Sequence, residues 1–342
     1  MDLSDLFSFE IKSVNNKRLQ RLLFRKLGTG QEFIEELGTV EKLAFKSALV
    51  LNSVNPRLRN PTILVFASDH GISKPLASFI RDEQHTEVNL QSFLQGTLPV
   101  NGFSKSSDIS IKVVDVGVDH SFEGTLDYWL HHGSMVIDRK QAFGTRNFQE
   151  FPAITTAELH SCMQVGMEMV DKERKTGCNV IGFGELARGA KFSAWCTAAA
   201  LLDKPIAELL AGEPEELTLY LDKALKTHPK SHDVYTILSL YGGYEIGALV
   251  AAILSAAQHR MLILIDGLVT ATAALAASKL SPSILDYCIF TYRSNDLIHR
   301  EVLDELKADS LLEVNSFSGM GAGVAYTYPL LKNAMTLSVP KK

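Results

Sequence analysis

The sequence predicts an α/β fold with a parallel sheet covered by helices on both faces, and three observations carry that reading. Short apolar runs, TILVFA (62–67), ISIKVVDVGV (109–118), CNVIGFG (178–184), MLILID (261–266) and DYCIFT (286–291), recur along the chain. Stretches with helical spacing separate them. Each run ends in polar residues, most with glycine. Strands that are apolar throughout, rather than alternating, are buried on both faces, which is the signature of parallel sheets with crossover helices.

The elements follow in order. The N-terminal segment carries RLQRLLFRKL (18–27) and VEKLAFKSALVLNSV (40–54), rich in Leu, Lys, Arg and Glu, and reads as accessory helices. Asn55-Pro56 and Asn60-Pro61 punctuate the chain before the first strand. Helices are expected at TEVNLQSFLQG (86–96), TAELHSCMQVGMEMVDKE (156–173), FSAWCTAAALL (192–202), EELTLYLDKALK (215–226), YEIGALVAAILSAAQ (244–258) and HREVLDELKA (299–308). MLILIDGLVTATAALAA (261–277) is interrupted by Asp266 and Gly267, so it reads as strand, turn and helix instead of a membrane span. The expected division is a helical segment over 1–58 and a large α/β domain over 59–342.

The chain of 342 residues is 46% hydrophobic and 21% charged, enough for a large core. A net charge of −5 gives no basic footprint, which argues against nucleic acid as a partner. Cys162, Cys178, Cys196 and Cys288 form no CxxC pair and sit in apolar contexts, as buried thiols do in a reducing compartment. The N-terminus MDLSDLFSFEIKS lacks the pattern of a secretory leader, so a cytoplasmic location is expected.

Ligands of such sheets sit beyond the carboxyl ends of the strands, so the strand exits assemble a candidate site. They supply Asp69 and His70, Asp115 and Gly117, Gly184 and Glu185, Asp266, and Arg293 and Ser294. Asp69-His70 reads as orienting a ligand or its own loop; a metal site would need further ligands at spacings the sequence does not offer, and neither metal nor cofactor is expected. GFGELARGAKF (182–192) is glycine-rich ahead of a helix, which suits a phosphate or a plain tight turn, with Arg188 and Lys191 as added cations. Glu245, one residue into an apolar helix, either complements the helix dipole or reaches inward to fix a ligand or a loop. The stretch NSFSGMGAGVAYTYPLLKNA (315–334) brings Gly319, Gly321 and Gly323 to another helix start.

Together FASDHGI (66–72), VVDVGVD (113–119), FGTRNF (143–148), IGFGEL (181–186), the block from GGYEIG (242–247) through LIDG (264–267), YRSNDLIHR (292–300) and SGMGAGVAYTYPLL (318–331) resemble the nicotinate-nucleotide:dimethylbenzimidazole phosphoribosyltransferase family of cobamide lower-ligand assembly. The resemblance runs from about residue 62 to the C-terminus. It implies a Rossmann-like three-layer parallel sheet with a small helical domain, to which 1–58 contributes and on which 200–235 is a candidate to pack. It also implies a dimer, either of identical chains or with a paralogue. The substrates are a small-molecule nucleotide and an aromatic base. Phosphoribose passes from nicotinate mononucleotide to a benzimidazole nitrogen; the phosphate is expected near Gly184, Arg188, Gly189 and Lys191 and near Gly319 and Gly321, and the aromatic acceptor near Ser78 and the helix starting at Thr86.

The chain departs from the family pattern in four places. A glutamate of a Gly-Glu-Gly-Thr-Gly-Ala loop, the family's proton acceptor, falls on Ser318. Asn-Thr-Thr of the family's phosphate loop is absent from 184–192, although Glu185 is kept. A family glutamine falls on Val88, and a Gly-Arg-Gly-Thr-Gly segment is replaced around 211–215. A neutral serine hydroxyl cannot act unaided as the base. Two outcomes are therefore expected: a phosphoribosyltransferase with altered or weakened activity, Glu185 being the carboxylate left to help, or a non-catalytic homologue that binds a nucleotide or α-riboside or partners an active paralogue.

Overall fold

A computed structural model describes residues 7–27, 38–80, 85–122, 128–131, 134–314 and 319–337. Its centre is one eight-stranded sheet. In chain order the strands are β1 (Thr62–Asp69), β2 (Ser110–Gly117), β3 (Tyr128–His131), β4 (Ser134–Asp138), β5 (Val180–Arg188), β6 (Leu262–Ile265), β7 (Cys288–Arg293) and β8 (Ser310–Glu313). The spatial order is β3-β4-β2-β1-β5-β6-β7-β8. All neighbours pair in parallel except β3 with β4. The five strands read from the sequence are present. The hairpin β3–β4 and the edge strand β8 are additional to them, because short edge strands lack the long apolar run that marks a buried one.

β1 lies between β2 and β5, and every residue from Thr62 to Ser68 is buried. Burial ends at Asp69, whose register partner is Arg188 on β5. Two strand exits therefore meet side by side, and β2 ends beside them, with Ser68 opposite Gly117.

The helices are α1 (Lys17–Leu27), α2 (Thr39–Val50), α3 (Thr86–Leu94), α4 (Pro99–Ser107), α5 (Thr156–Lys175), α6 (Ala190–Leu202), α7 (Ile206–Leu209), α8 (Glu215–Thr227), α9 (Val234–Tyr241), α10 (Tyr244–Gln258), α11 (Gly267–Leu280), α12 (Leu297–Glu305) and α13 (Ala322–Leu337). On one side of the sheet α10 and α11 pack with α5, α6 and α12; on the other α13 packs with α2 and α4. α10 is buried from Tyr244 to Ala257, including Glu245. Gly166 on α5 lets the two helices come close: a Cβ added there would lie 2.0 Å from the carbonyl oxygen of Ala248. α5 starts on a capping box in which Thr155 and Glu158 bond each other's backbone N–H groups.

α1 and α2 share a separate apolar cluster of Leu19, Leu23, Phe24, Phe45, Ala48 and Leu49. The other face of α2, with Leu43, Ala44 and Val50, joins the main core. Lys46 on that helix donates to the carbonyl of Leu285 at 3.0 Å. α7 and α8 pack on α6. All four cysteines are buried thiols. Among the described residues no helix is long and apolar enough to cross a membrane.

Candidate active site

The carboxyl ends of β1, β2 and β5 converge on Asp69. Its Oδ1 accepts from the Thr86 hydroxyl at 2.5 Å and from the backbone N–H of Arg188 at 3.3 Å, and its Oδ2 accepts the N–H of Asp119 at 2.8 Å. Burial pushes its pKa up, against the pull of these donors. Asp69 thus staples three strand exits and the start of α3. The sequence places Thr86 only as the first residue of an acceptor helix; its hydroxyl also receives the Arg188 N–H at 3.2 Å.

The backbone of Arg188 is accordingly fixed at both ends, since its carbonyl accepts the N–H of His70 at 3.1 Å. The side chain is half-buried, and among the described residues its guanidinium has no hydrogen bond or ion pair. Gly189 follows with φ of 85°, the left-handed conformation that glycine adopts without steric cost, and α6 begins. The first amides of α6, at Ala190 and Lys191, have no intrahelical acceptor, as at any helix N-terminus. The ammonium group of Lys191 does not join them. It lies over the Trp195 ring, 4.3 Å from the centroid, and 3.8 and 3.7 Å from Glu213 and Asp296.

The glycine turn before α13 behaves otherwise. Gly319, Met320 and Gly321 have successive φ values of 71°, 57° and 78°. The Met320 N–H donates to the Glu185 carbonyl at 3.1 Å, and the N–H groups of Gly321 and Gly323 donate to the carboxylate of Asp266. Asp266 is buried, and desolvation pushes its pKa up to about 7 in spite of those bonds. The anion at this helix start is therefore a side chain of the protein itself. Strand β5 packs on this turn: a Cβ added at Gly184 would lie 2.3 Å from the nitrogen of Gly321.

Several of the expected contact residues are paired with other protein groups. His70 and Glu245 face each other at 2.7 Å with both side chains at 0% exposure. Arg293 makes a bidentate ion pair with Asp304, both bonds at 2.8 Å. The Ser294 hydroxyl meets His299 Nδ1 at 2.8 Å, and burial lowers the pKa of that imidazole to about 4. Ser78 is exposed on a short 3₁₀ turn, Ala77–Phe79. Glu185 is half-buried in β5 beside Gly184. Ser318 lies outside the described residues. Among the described residues no three His, Cys, Asp or Glu side chains gather as metal ligands.

Sequence reasoning passes over one supporting network. The Arg146 guanidinium donates to Glu158 Oε2 at 3.0 and 2.6 Å, and the Tyr244 hydroxyl donates to Glu158 Oε1 at 3.2 Å. The Thr145 N–H donates to the Asp69 carbonyl at 2.9 Å, which brings the FGTRNF stretch against the site. That stretch is legible as a motif, but nothing local reveals its partners.

The family model described as a phosphoribosyltransferase, DBI_PRT, matches residues 25–339. The chain belongs to this family. A nicotinate-nucleotide–dimethylbenzimidazole phosphoribosyltransferase of Dechloromonas aromatica (strain RCB) is 35% identical, over 97% of this chain and 95% of that protein. One of Cupriavidus necator is also 35% identical, over 87% and 86% of the two chains. A solved structure of the same-named enzyme from Thermus thermophilus superposes with a TM-score of 0.82 at 25% identity, covering 95% of this chain and 96% of that one. A second structure from that organism, CobT, gives 0.81 at 26% identity, covering 94% and 95%. The α/β fold is thus that of the phosphoribosyltransferase relatives. Two of the stretches expected to depart from the family pattern adjoin in space. The 184–192 turn meets the 211–215 segment through Lys191 and Glu213. Val88, a third, sits two residues beyond the Thr86 that bonds Arg188.

Proposed function

We propose that this chain binds nicotinate mononucleotide and transfers its phosphoribose to dimethylbenzimidazole or a related aromatic base, with activity weakened by the serine at position 318. The observation that carries the reading is the β5–α6 turn. Arg188 is held by its backbone, with a guanidinium unpaired among the described residues, beside the open amides of a long helix. A phosphate is the anion such a corner suits best, through the guanidinium fork and the positive end of the helix dipole. The amides of Gly321 and Gly323 serve Asp266, so the α13 turn supplies shape more than phosphate donors.

In the reaction the bond from ribose C1′ to the nicotinate nitrogen breaks and positive charge builds on the ribose. A ring nitrogen of the acceptor forms the new bond to C1′ and the ring loses its proton. A carboxylate beside the acceptor takes that proton and steadies the charge. With Ser318 in that place, solvent or Glu185 has to accept the proton, and the lost base costs about 10²–10⁴ in rate. The protein is proposed to act in the cytoplasm, without a cofactor, as a dimer with itself or a paralogue, its helical segment 1–58 contributing to a small domain. A second reading, a non-catalytic nucleotide-binding homologue, is favoured by the changes at 187–192, 211–215 and 318 occurring together.

The test is incubation with nicotinate mononucleotide and dimethylbenzimidazole, following nicotinate release, with nucleotide binding measured by calorimetry. Slow release that Ser318→Glu accelerates and Glu185→Gln abolishes is the expected result. Binding without turnover, unchanged by Ser318→Glu, selects the second reading. Absence of both binding and turnover rejects both.

A further inference from the structure

His70 and Glu245 lie at two motifs that invite a ligand role, yet neither has any exposed surface. They have to act through something else, and their surroundings show what. His70 follows Asp69 at the β1 exit; its N–H donates to the Arg188 carbonyl at 3.1 Å. Its Cβ lies 3.2 Å from where a Cβ on Gly189 would be, with the Cβ of Ser73 at 2.8 Å. Glu245 starts α10, just after Gly242 and Gly243. A Cβ on Gly243 would come within 2.4 Å of both Glu245 Oε2 and His70 Cε1. The Ser193 hydroxyl, in the first turn of α6, donates to the Tyr241 carbonyl at 2.6 Å, fastening that helix to the same corner. Three segments meet here: the β1 exit, the β5–α6 turn and the α9–α10 turn. Glycines admit the pair at two of them.

The pair is not built for stability. Among the described residues His70 Nδ1 and Glu245 Oε2 have no hydrogen-bond partner. A buried ionisable pair that is only half satisfied is a poor source of folding energy compared with an apolar pair of the same volume. What it does provide is direction, because the contact fixes where His70, and hence the Arg188–Gly189 peptide, sits relative to α10.

We infer that His70 and Glu245 form a buried positioning pair that sets the geometry of the Arg188–Gly189 turn, and so the affinity for the phosphate end of the nucleotide. This rests on the reading of that turn as the phosphate site.

Two variants test it in the full-length protein: Glu245→Gln, which keeps the shape, and the double variant His70→Leu with Glu245→Met, which keeps the volume and removes the polar contact. Each is assayed for melting temperature, amide hydrogen exchange over residues 188–195 without ligand, and nicotinate mononucleotide affinity by calorimetry. The expected result is a folded double variant with a melting temperature near that of the parent, faster exchange at 188–195, and affinity weakened about tenfold. Where turnover is measurable, KM rises while kcat holds, as for an interaction made equally in ground and transition states. Folded variants with unchanged exchange and unchanged affinity overturn the proposal, as does a loss of melting temperature alone. If the parent binds no nicotinate mononucleotide, the phosphate reading fails; exchange at 188–195 in the ligand-free protein still decides whether the pair positions the turn.

Discussion

The turn from β5 into α6 and the turn into α13 are both glycine-rich and both open a long helix, yet they differ in the anion they serve. At α13 the donors of Gly321 and Gly323 converge on Asp266, a carboxylate of the protein, and Met320 pairs with the Glu185 carbonyl. At α6 the surrounding bonds hold the backbone of Arg188, while among the described residues its guanidinium has no hydrogen bond or ion pair. A helix N-terminus is a general anion site. Whether a protein group or a ligand fills it depends on what the neighbouring strand exit delivers. β6 delivers Asp266 to α13. No carboxylate is bonded to the first amides of α6 among the described residues; Asp69, at the adjoining β1 exit, is occupied by Thr86, Asp119 and Arg188.

The largest effect is expected where β5 packs on the α13 turn. In Gly184→Ala the new methyl would meet the backbone of Met320 and Gly321 at 2.7 and 2.3 Å. Backbone cannot yield as a side-chain tip can, so a loss of about 3 kcal/mol or more is expected in urea unfolding. Wild-type stability in that variant would mean β5 and the α13 turn are not packed together as described.

Next comes Asp266→Asn. The folded-state pKa of Asp266, about 7, is raised above its ordinary value of 3.8. The stability tied to its proton is therefore fully present below about pH 4 and is lost as pH rises through about 7. The asparagine variant, which has no proton to lose, should gain on the wild type across that window, by up to a few kcal/mol at about pH 8. A difference between the two proteins that stays flat from about pH 4 to about pH 8 would show that Asp266 titrates normally and is not desolvated at the α13 turn.

Arg188→Ala sharpens the other side of the comparison. Nucleotide affinity should fall about tenfold to a hundredfold, the range of a hydrogen bond to a charged group, with the melting temperature unchanged. Equal affinity in the variant would move the phosphate away from the β5–α6 turn. The smallest effect is expected for Thr86→Val. It removes one donor to Asp69 and one acceptor of the Arg188 N–H, for about 1 kcal/mol of stability. A larger loss would make Thr86 a keystone of the site rather than one of several staples.

Much of the fold is legible from residue patterns. The five apolar runs and most helices lie where their periodicity puts them, and the polar strand exits do gather at one end of the sheet. The site is legible in membership more than in role. Arg188 stands apart because its backbone is pinned while its side chain is free of partners among the described residues. Lys191, of the same charge and three residues on, is drawn to Trp195, Glu213 and Asp296. Nothing in GFGELARGAKF distinguishes the two cations, since the groups that capture Lys191 come from remote segments. Arg293 is taken up nearer by, in a bidentate pair with Asp304 on the following helix.

By itself the sequence determined the class of fold and the family, because apolar periodicity and long specific motifs are properties of the local chain. Only the tertiary structure decided that Asp266 occupies the α13 turn, that His70 and Glu245 are buried against each other, and that the Arg188 guanidinium has no partner among the described residues. Burial and pairing are set by which segments the sheet order brings together, and residues 175 positions apart, as His70 and Glu245 are, have no local signal of their meeting.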